Sequence, residues 1–208
     1  MKPSQTVSAD LICPDVDHGY LISVLKQLLS IPSPSGYTEN VSRYVVEELT
    51  RIGLKAELTR RGAIRAILPG RQKQPKRAIV SHLDTLGAMV NDLKENGRLS
   101  VQPIGTWSAR FAEGARCTIF MEHGHQRGTI MPLKSSGHAY DEEIDTQPVG
   151  WDNLEIRIDD FSKSPDELYE AGFRVGDFVA IDPQPEFREN GYIVSRHLDD
   201  KAGVACVL

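Results

Sequence analysis

The chain has 208 residues, of which 40% are apolar and 25% charged, and a net charge of −5. That length holds one large domain or two small ones with a packed core. Acids and bases are interspersed, which excludes a basic nucleic-acid footprint, and no apolar run reaches the length of a membrane span. The start of the chain lacks the apolar core of a signal peptide. The three cysteines, Cys13, Cys117 and Cys206, are odd in number and without CxxC spacing, which argues against a disulfide framework or a cysteine zinc site. A cytoplasmic protein is expected, with Cys117 and Cys206 as buried reduced thiols.

Residues 1–14 read as a mobile leader. A first helix is predicted over 19–30, where Leu21, Leu25, Leu28 and Leu29 share a face. Ile31-Pro32-Ser33-Pro34-Ser35-Gly36 breaks it. A second helix is predicted over 38–52, with a stripe of Val41, Tyr44, Val45, Leu49 and Ile52 and a C-terminal cap at Gly53. The period then changes. Segments 54–59 and 63–68 read as strands, and Ala78-Ile79-Val80 reads as a short central strand buried on both faces. The basic stretch 71–77 between them reads as a solvated loop.

Beyond Asp92 short strands and turns dominate, the pattern of a small β-barrel or sandwich. Glu95-Asn96-Gly97 marks a hairpin. Segments 116–121 and 128–133 flank a turn at 122–127, and 154–158, 178–181 and 192–194 are further strands. One helix is punctuated by Ser164 as N-cap, Pro165, Glu167 of a capping box, and Gly172. The polar segment 135–153 reads as an exposed loop. Lys201 to Leu208 turn apolar and small, as at the start of a buried helix. A domain rarely stops there, so a C-terminally truncated chain is expected. The predicted organisation is α/β: residues 15–91 plus 191–208 form an incomplete catalytic domain, and 92–190 an inserted β-rich domain.

Two motifs carry the chemistry. In Ser81-His82-Leu83-Asp84-Thr85-Leu86-Gly87, residues two apart on an extended segment share a side. His82 can bind a metal while Asp84 accepts a hydrogen bond from the other ring nitrogen, which fixes the tautomer. In Ser195-Arg196-His197-Leu198-Asp199-Asp200-Lys201-Ala202-Gly203, two adjacent carboxylates sit between apolar runs. A divalent cation resolves that conflict; a solvated acidic helix start is the plainer alternative. His123, His125 and His138 read as exposed, and Trp107 and Trp151 as packing or interface residues of the insertion. Ser33 and Ser35 lack a nucleophile-elbow context.

Together with Ile31-Pro32-Ser33-Pro34-Ser35-Gly36, Pro103-Ile104-Gly105-Thr106-Trp107 and the stretch from Gly172 to Asp177, these motifs give a sequence that resembles the tetrahedral aminopeptidases, which include the glutamyl and deblocking aminopeptidases. The resemblance runs from about Leu21 to Leu208. It implies a zinc-exopeptidase-like α/β domain interrupted by a β-rich dimerisation domain, two divalent ions (zinc, or cobalt), short peptide substrates, and homo-oligomers up to a dodecamer. It implies that His82 binds one metal, that Asp84 orients it among the catalytic residues, and that Asp199 bridges both ions with Asp200 adjacent, through an unusual cis peptide. The general base and remaining ligands are expected beyond Leu208, so these 208 residues alone are expected to be inactive. Lys201 stands where the family frequently has Arg, and the two are not equivalent at a structured ion pair. Two other functions fit the same residues: an amidohydrolase acting on N-acyl amino acids or a dipeptide metabolite, and a non-catalytic assembly module if the chain is complete.

Overall fold

The computed structural model describes residues 15–72 and 74–208. The expected leader at 1–14, with Cys13, lies outside the described residues. The described chain has mixed α/β content and two hydrophobic cores, one helical and one inside a barrel.

The helical core begins with α1 (His18–Ser30), whose N-terminus is capped by the Asp17 carboxylate accepting from the Tyr20 N–H at 2.9 Å. Its buried face, Val24, Leu25, Leu28 and Leu29, meets Val41, Val45 and Leu49 of α2 (Glu39–Arg51). Both faces follow from apolar residues recurring every three to four positions. The third wall is α6 (Leu198–Val207), which contributes Val204 and Ala205. A short antiparallel hairpin of β1 (Ala56–Leu58) and β2 (Ile64–Ala66) packs beside α2, matching two expected strands in abbreviated form.

The expected central strand at Ala78-Ile79-Val80 does not form. No described strand pairs with it, and Ile79 and Val80 are 80% and 87% exposed. A continuous apolar run carries no period of its own and becomes a strand only where neighbours cover both edges and faces. Cys206 is also exposed rather than buried, because the buried face of α6 runs through Lys201, Val204 and Ala205. Cys117 is buried, and that burial pushes its thiol up to about 12.

The barrel is a closed sheet of six antiparallel strands in the order β3-β4-β7-β6-β5-β8. They are β3 (Gly87–Leu93), β4 (Leu99–Ile104), β5 (Arg116–Met121), β6 (Gly124–Pro132), β7 (Leu154–Ile158) and β8 (Phe178–Ile181). Its first strand thus starts at Gly87, five residues before Asp92. Alternation fills the interior: Val90, Leu99, Val101, Ile119, Ile130, Leu154, Ile156, Ile158 and Val179 are all buried. The β5–β6 turn is tighter than expected. Met121 pairs with Gly124, so the loop is only Glu122-His123. The segment predicted as a plain loop at 135–153 contains two single-turn helices, α3 (Gly137–Tyr140) and α4 (Glu143–Thr146). The helix α5 (Pro165–Glu170) has its Ser164 cap, and Glu167 closes the box on the Lys163 N–H at 2.7 Å. After β8 a small hairpin of β9 (Glu186–Phe187) and β10 (Ile193–Val194) returns the chain to α6.

Glu155 is the charged exception in this sheet. It is 2% exposed and accepts from Lys94, Arg98 and, at 3.2 Å, the Asn96 amide, all on or beside the β3–β4 turn. Burial pushes its carboxyl pKa up, but those donors outweigh it and hold the pKa below the usual range. A carboxylate with a depressed folded pKa adds stability above its unfolded pKa and loses it as pH falls through the folded value. Glu155→Gln should therefore lower stability at neutral pH by about 1–3 kcal/mol. In guanidinium unfolding curves the gap from wild type should narrow below about pH 4. A gap that stays constant with pH would remove the ionic part of this account.

Candidate active site

Two residues far apart in the sequence meet here. The His82 Nε2 stands 3.1 Å from Asp199 Oδ1, across 117 positions of sequence. On the other side of the imidazole, Nδ1 faces Asp84, 3.1 Å from its carbonyl and 3.3 Å from Oδ1. An N–H at Nδ1 pointing at Asp84 leaves the Nε2 lone pair directed at Asp199. Burial pulls the His82 pKa down, but the Asp84 carbonyl and carboxylate and Asp199 outweigh it, so the pKa is raised.

Local structure explains why these groups converge. The loop after α1 runs extended beside the histidine segment, with a parallel bridge between Pro34 and Thr85. The Thr85 N–H donates to Ser33 O at 2.8 Å, and the Ser35 N–H to Thr85 O at 3.2 Å. The buried Ser33 hydroxyl donates to Leu83 O at 2.8 Å, and the Ser35 hydroxyl to Asp84 Oδ2 at 2.5 Å. Gly87 then admits the loop. A Cβ there would come within 2.6 Å of Pro34 Cβ and 2.8 Å of Val179 O. The Trp107 indole N–H donates to Gly87 O at 3.1 Å, and Trp151 packs edge-on against Trp107. The two tryptophans are therefore packing residues at the start of the barrel.

The carboxylate segment is anchored separately. The Asp199–Asp200 peptide is cis, and both residues depart from helical backbone angles. Asp199 projects into solvent, its side chain 94% exposed, and His82 is half-exposed. Asp200 points elsewhere and accepts from the Ser81 hydroxyl at 2.6 Å. That bond, with the His82 and Gly203 N–H groups, holds its carboxyl below the usual carboxylate range. Lys201 is 1% exposed and donates to Leu28 O at 2.8 Å and Ile31 O at 2.7 Å, closing the C-terminal end of α1. Among the described residues no carboxylate joins it, so the lysine serves as a helix cap; burial pushes its ammonium down to about 8. His197 turns away from Asp199 and donates through Nε2 to Ile181 O at 2.8 Å, and burial lowers its pKa.

His123 and His125 lie exposed on the β5–β6 hairpin, and His138 lies exposed in α3. Among the described residues no group of three His, Cys, Asp or Glu side chains is arranged to hold a metal. The donors His82 and Asp199 do fit one edge of such a site. Two ligands about 2.0–2.2 Å from one tetrahedral zinc stand roughly 3.3–3.6 Å apart, a few tenths of an ångström more than the 3.1 Å between Nε2 and Oδ1. A cavity of about 290 Å³ lies between the end of α1, the barrel and Lys201, and neither His82 nor Asp199 lines it. The His82–Asp199 edge faces solvent instead. Sequence reasoning missed Ser33, Ser35 and Ser81; the Pro-Ser-Pro-Ser-Gly motif was the available signal for the first two.

Gly203 sits against the Asp200 carboxylate, where an added Cβ would approach Oδ1 to 2.2 Å. Gly203→Ala should push Asp200 off Ser81 and lower stability by about 1–3 kcal/mol in chemical unfolding. Wild-type stability for this variant would show that the carboxylate is not fixed there.

Comparisons with known proteins bear on the family and the fold. YhfE of Bacillus subtilis is 38% identical over 188 residues, which cover 90% of this chain and 54% of YhfE. The aminopeptidase APDkam598 from the archaeon Desulfurococcus kamchatkensis superposes with a TM-score of 0.76 at 28% identity, over 90% of this chain and 50% of that one. The TET1 peptidase of Pyrococcus horikoshii shares the fold, with a TM-score of 0.75 at 23% identity, over 90% of this chain and 54% of that one. The chain thus spans about half the length of the relatives it matches. No helix among the described residues is long and apolar enough to cross a membrane. The family model for M42 glutamyl aminopeptidase matches residues 62–208, a span that takes in both motifs and the whole barrel, and the chain belongs to that family.

Proposed function

We propose that this chain carries part of the active site of a metal-dependent aminopeptidase that removes N-terminal residues from short peptides. Family membership supports the reaction class. The observation that carries the proposal is the 3.1 Å approach of His82 Nε2 to Asp199 Oδ1, which brings the two motifs to one point. His82 would bind one of two divalent ions, zinc or cobalt, and Asp199 would bridge both. When bound, such a pair supplies a water of lowered pKa and polarises the substrate carbonyl.

The chain's own residues hold the donors in place. Asp84 keeps the Nδ1 proton and so presents the Nε2 lone pair outward. Asp200 is engaged by Ser81 and leaves Asp199 as the free carboxylate of the pair. Among the described residues no group of three donors completes the site, and the chain spans about half the length of the relatives it matches. Residues 15–91 plus 191–208, less residues 87–91 that begin β3, would form the catalytic domain, with the barrel as an insertion through which the chain self-associates, up to a dodecamer. The Pyrococcus horikoshii TET1 peptidase, which shares the fold, can assemble into a tetrahedron or a large octahedral shell. A cytoplasmic location is proposed with it.

Asp199→Ala in the intact protein should abolish both divalent-metal binding and hydrolysis of aminoacyl p-nitroanilides. Full turnover by that variant would remove Asp199 from the bridging role. Hydrolysis of N-acyl amino acids alone would identify an amidohydrolase instead. A wild-type protein that binds no divalent ion and cleaves neither substrate would identify an assembly module.

A further inference from the structure

Ser35 lies outside the His82–Asp199 pair, yet its hydroxyl reaches the one carboxylate that faces the back of the imidazole. It donates to Asp84 Oδ2 at 2.5 Å, while the other oxygen, Oδ1, stands 3.3 Å from His82 Nδ1. A serine hydroxyl has a single proton to donate, so this bond decides which Asp84 oxygen is occupied and which is left for the histidine. Asp84 itself is partly exposed. Without the bond its side chain can rotate toward water and release the imidazole.

The backbone of Ser35 is held on both sides. Before it, Pro34 bridges Thr85, whose N–H donates to Ser33 O at 2.8 Å. After it, the Tyr37 N–H donates to Pro34 O at 2.7 Å. The Tyr37 ring stacks on Phe120 of β5, with centroids 4.6 Å apart, and lies 5.6 Å from Phe178 of β8. The hydroxyl is therefore presented from a fixed frame that spans the helical core and the barrel. Ser33, two residues earlier, differs in kind: its hydroxyl serves a backbone carbonyl, Leu83 O, and supports the fold.

We propose that Ser35 is a positioning residue that sets the His82 imidazole for metal binding by fixing the Asp84 carboxylate. The proposal rests on the reading of His82 as a metal ligand. Partners behind a ligating histidine typically contribute tenfold or more to metal affinity.

The test is zinc affinity of the intact protein, measured by competition with a chromophoric chelator, together with thermal unfolding of the metal-free form. Ser35→Ala should weaken zinc binding about tenfold or more and leave the metal-free unfolding temperature unchanged. Ser35→Thr, which keeps the hydroxyl, should restore most of the affinity. In an Asp84→Ala background, Ser35→Ala should cost nothing further, because the serine acts through the carboxylate. Wild-type affinity in Ser35→Ala would overturn the proposal, as would an equal loss in Ser35→Thr, full additivity with Asp84→Ala, or a Ser35→Ala protein that no longer folds. His82→Ala separates the two levels. If it binds zinc like wild type, the metal reading itself fails; if it loses zinc while Ser35→Ala does not, only the role of Ser35 fails.

Discussion

The pairing of Ser33–Ser35 with Leu83–Thr85 is the constraint on which the rest of the structure depends. It is short, a single parallel bridge with two backbone hydrogen bonds and the Ser33 hydroxyl. Yet the end of α1, the carboxylate segment and the start of the barrel all meet beside it. Its first segment leaves the end of α1, which Lys201 closes by donating to Leu28 O and Ile31 O. Its second segment runs straight into the barrel through Gly87, where the absence of a side chain lets Pro34 and Val179 O approach. The buried ammonium follows Asp199 and Asp200 directly in sequence. The same contact that ends α1 therefore also places the carboxylates opposite His82.

This arrangement separates two jobs that a pair of adjacent carboxylates would otherwise compete for. Both could face the imidazole, and their mutual repulsion would then spread them unpredictably. Instead Asp200 is drawn back by Ser81 and by the Gly203 and His82 N–H groups, which stabilise its charge. Asp199 is left almost wholly in solvent beside Nε2. An exposed carboxylate near a half-exposed imidazole adds little to stability. Placing the pair on the surface makes sense as chemistry rather than as packing.

Helices α1 and α2 were legible in the sequence because their apolar stripes keep a 3.6-residue period, and the β3–β4 hairpin because Glu95-Asn96-Gly97 punctuates it. The run Ala78-Ile79-Val80 misled for the opposite reason. It has no period, and its fate depends on neighbours that the described residues do not supply. The pairing of His82 with Asp84 could be read from a spacing of two, whereas its approach to Asp199 depends on closure over 117 positions and was suggested only by the family resemblance. Of the serine contacts the sequence marks only the Pro-Ser-Pro-Ser-Gly run, not what its hydroxyls bind. A hydroxyl has no pattern of its own, and those of Ser35 and Ser81 acquire a role only through partners 49 and 119 residues away.

The central claim is that His82 and Asp199 form one edge of a metal site. Crystals of the intact protein grown with zinc, with diffraction collected on both sides of the zinc absorption edge, test it most directly. The account predicts an anomalous peak in contact with both His82 Nε2 and an Asp199 oxygen. Ordered His82 and Asp199 side chains with zinc bound elsewhere, or no anomalous signal between them, would contradict it.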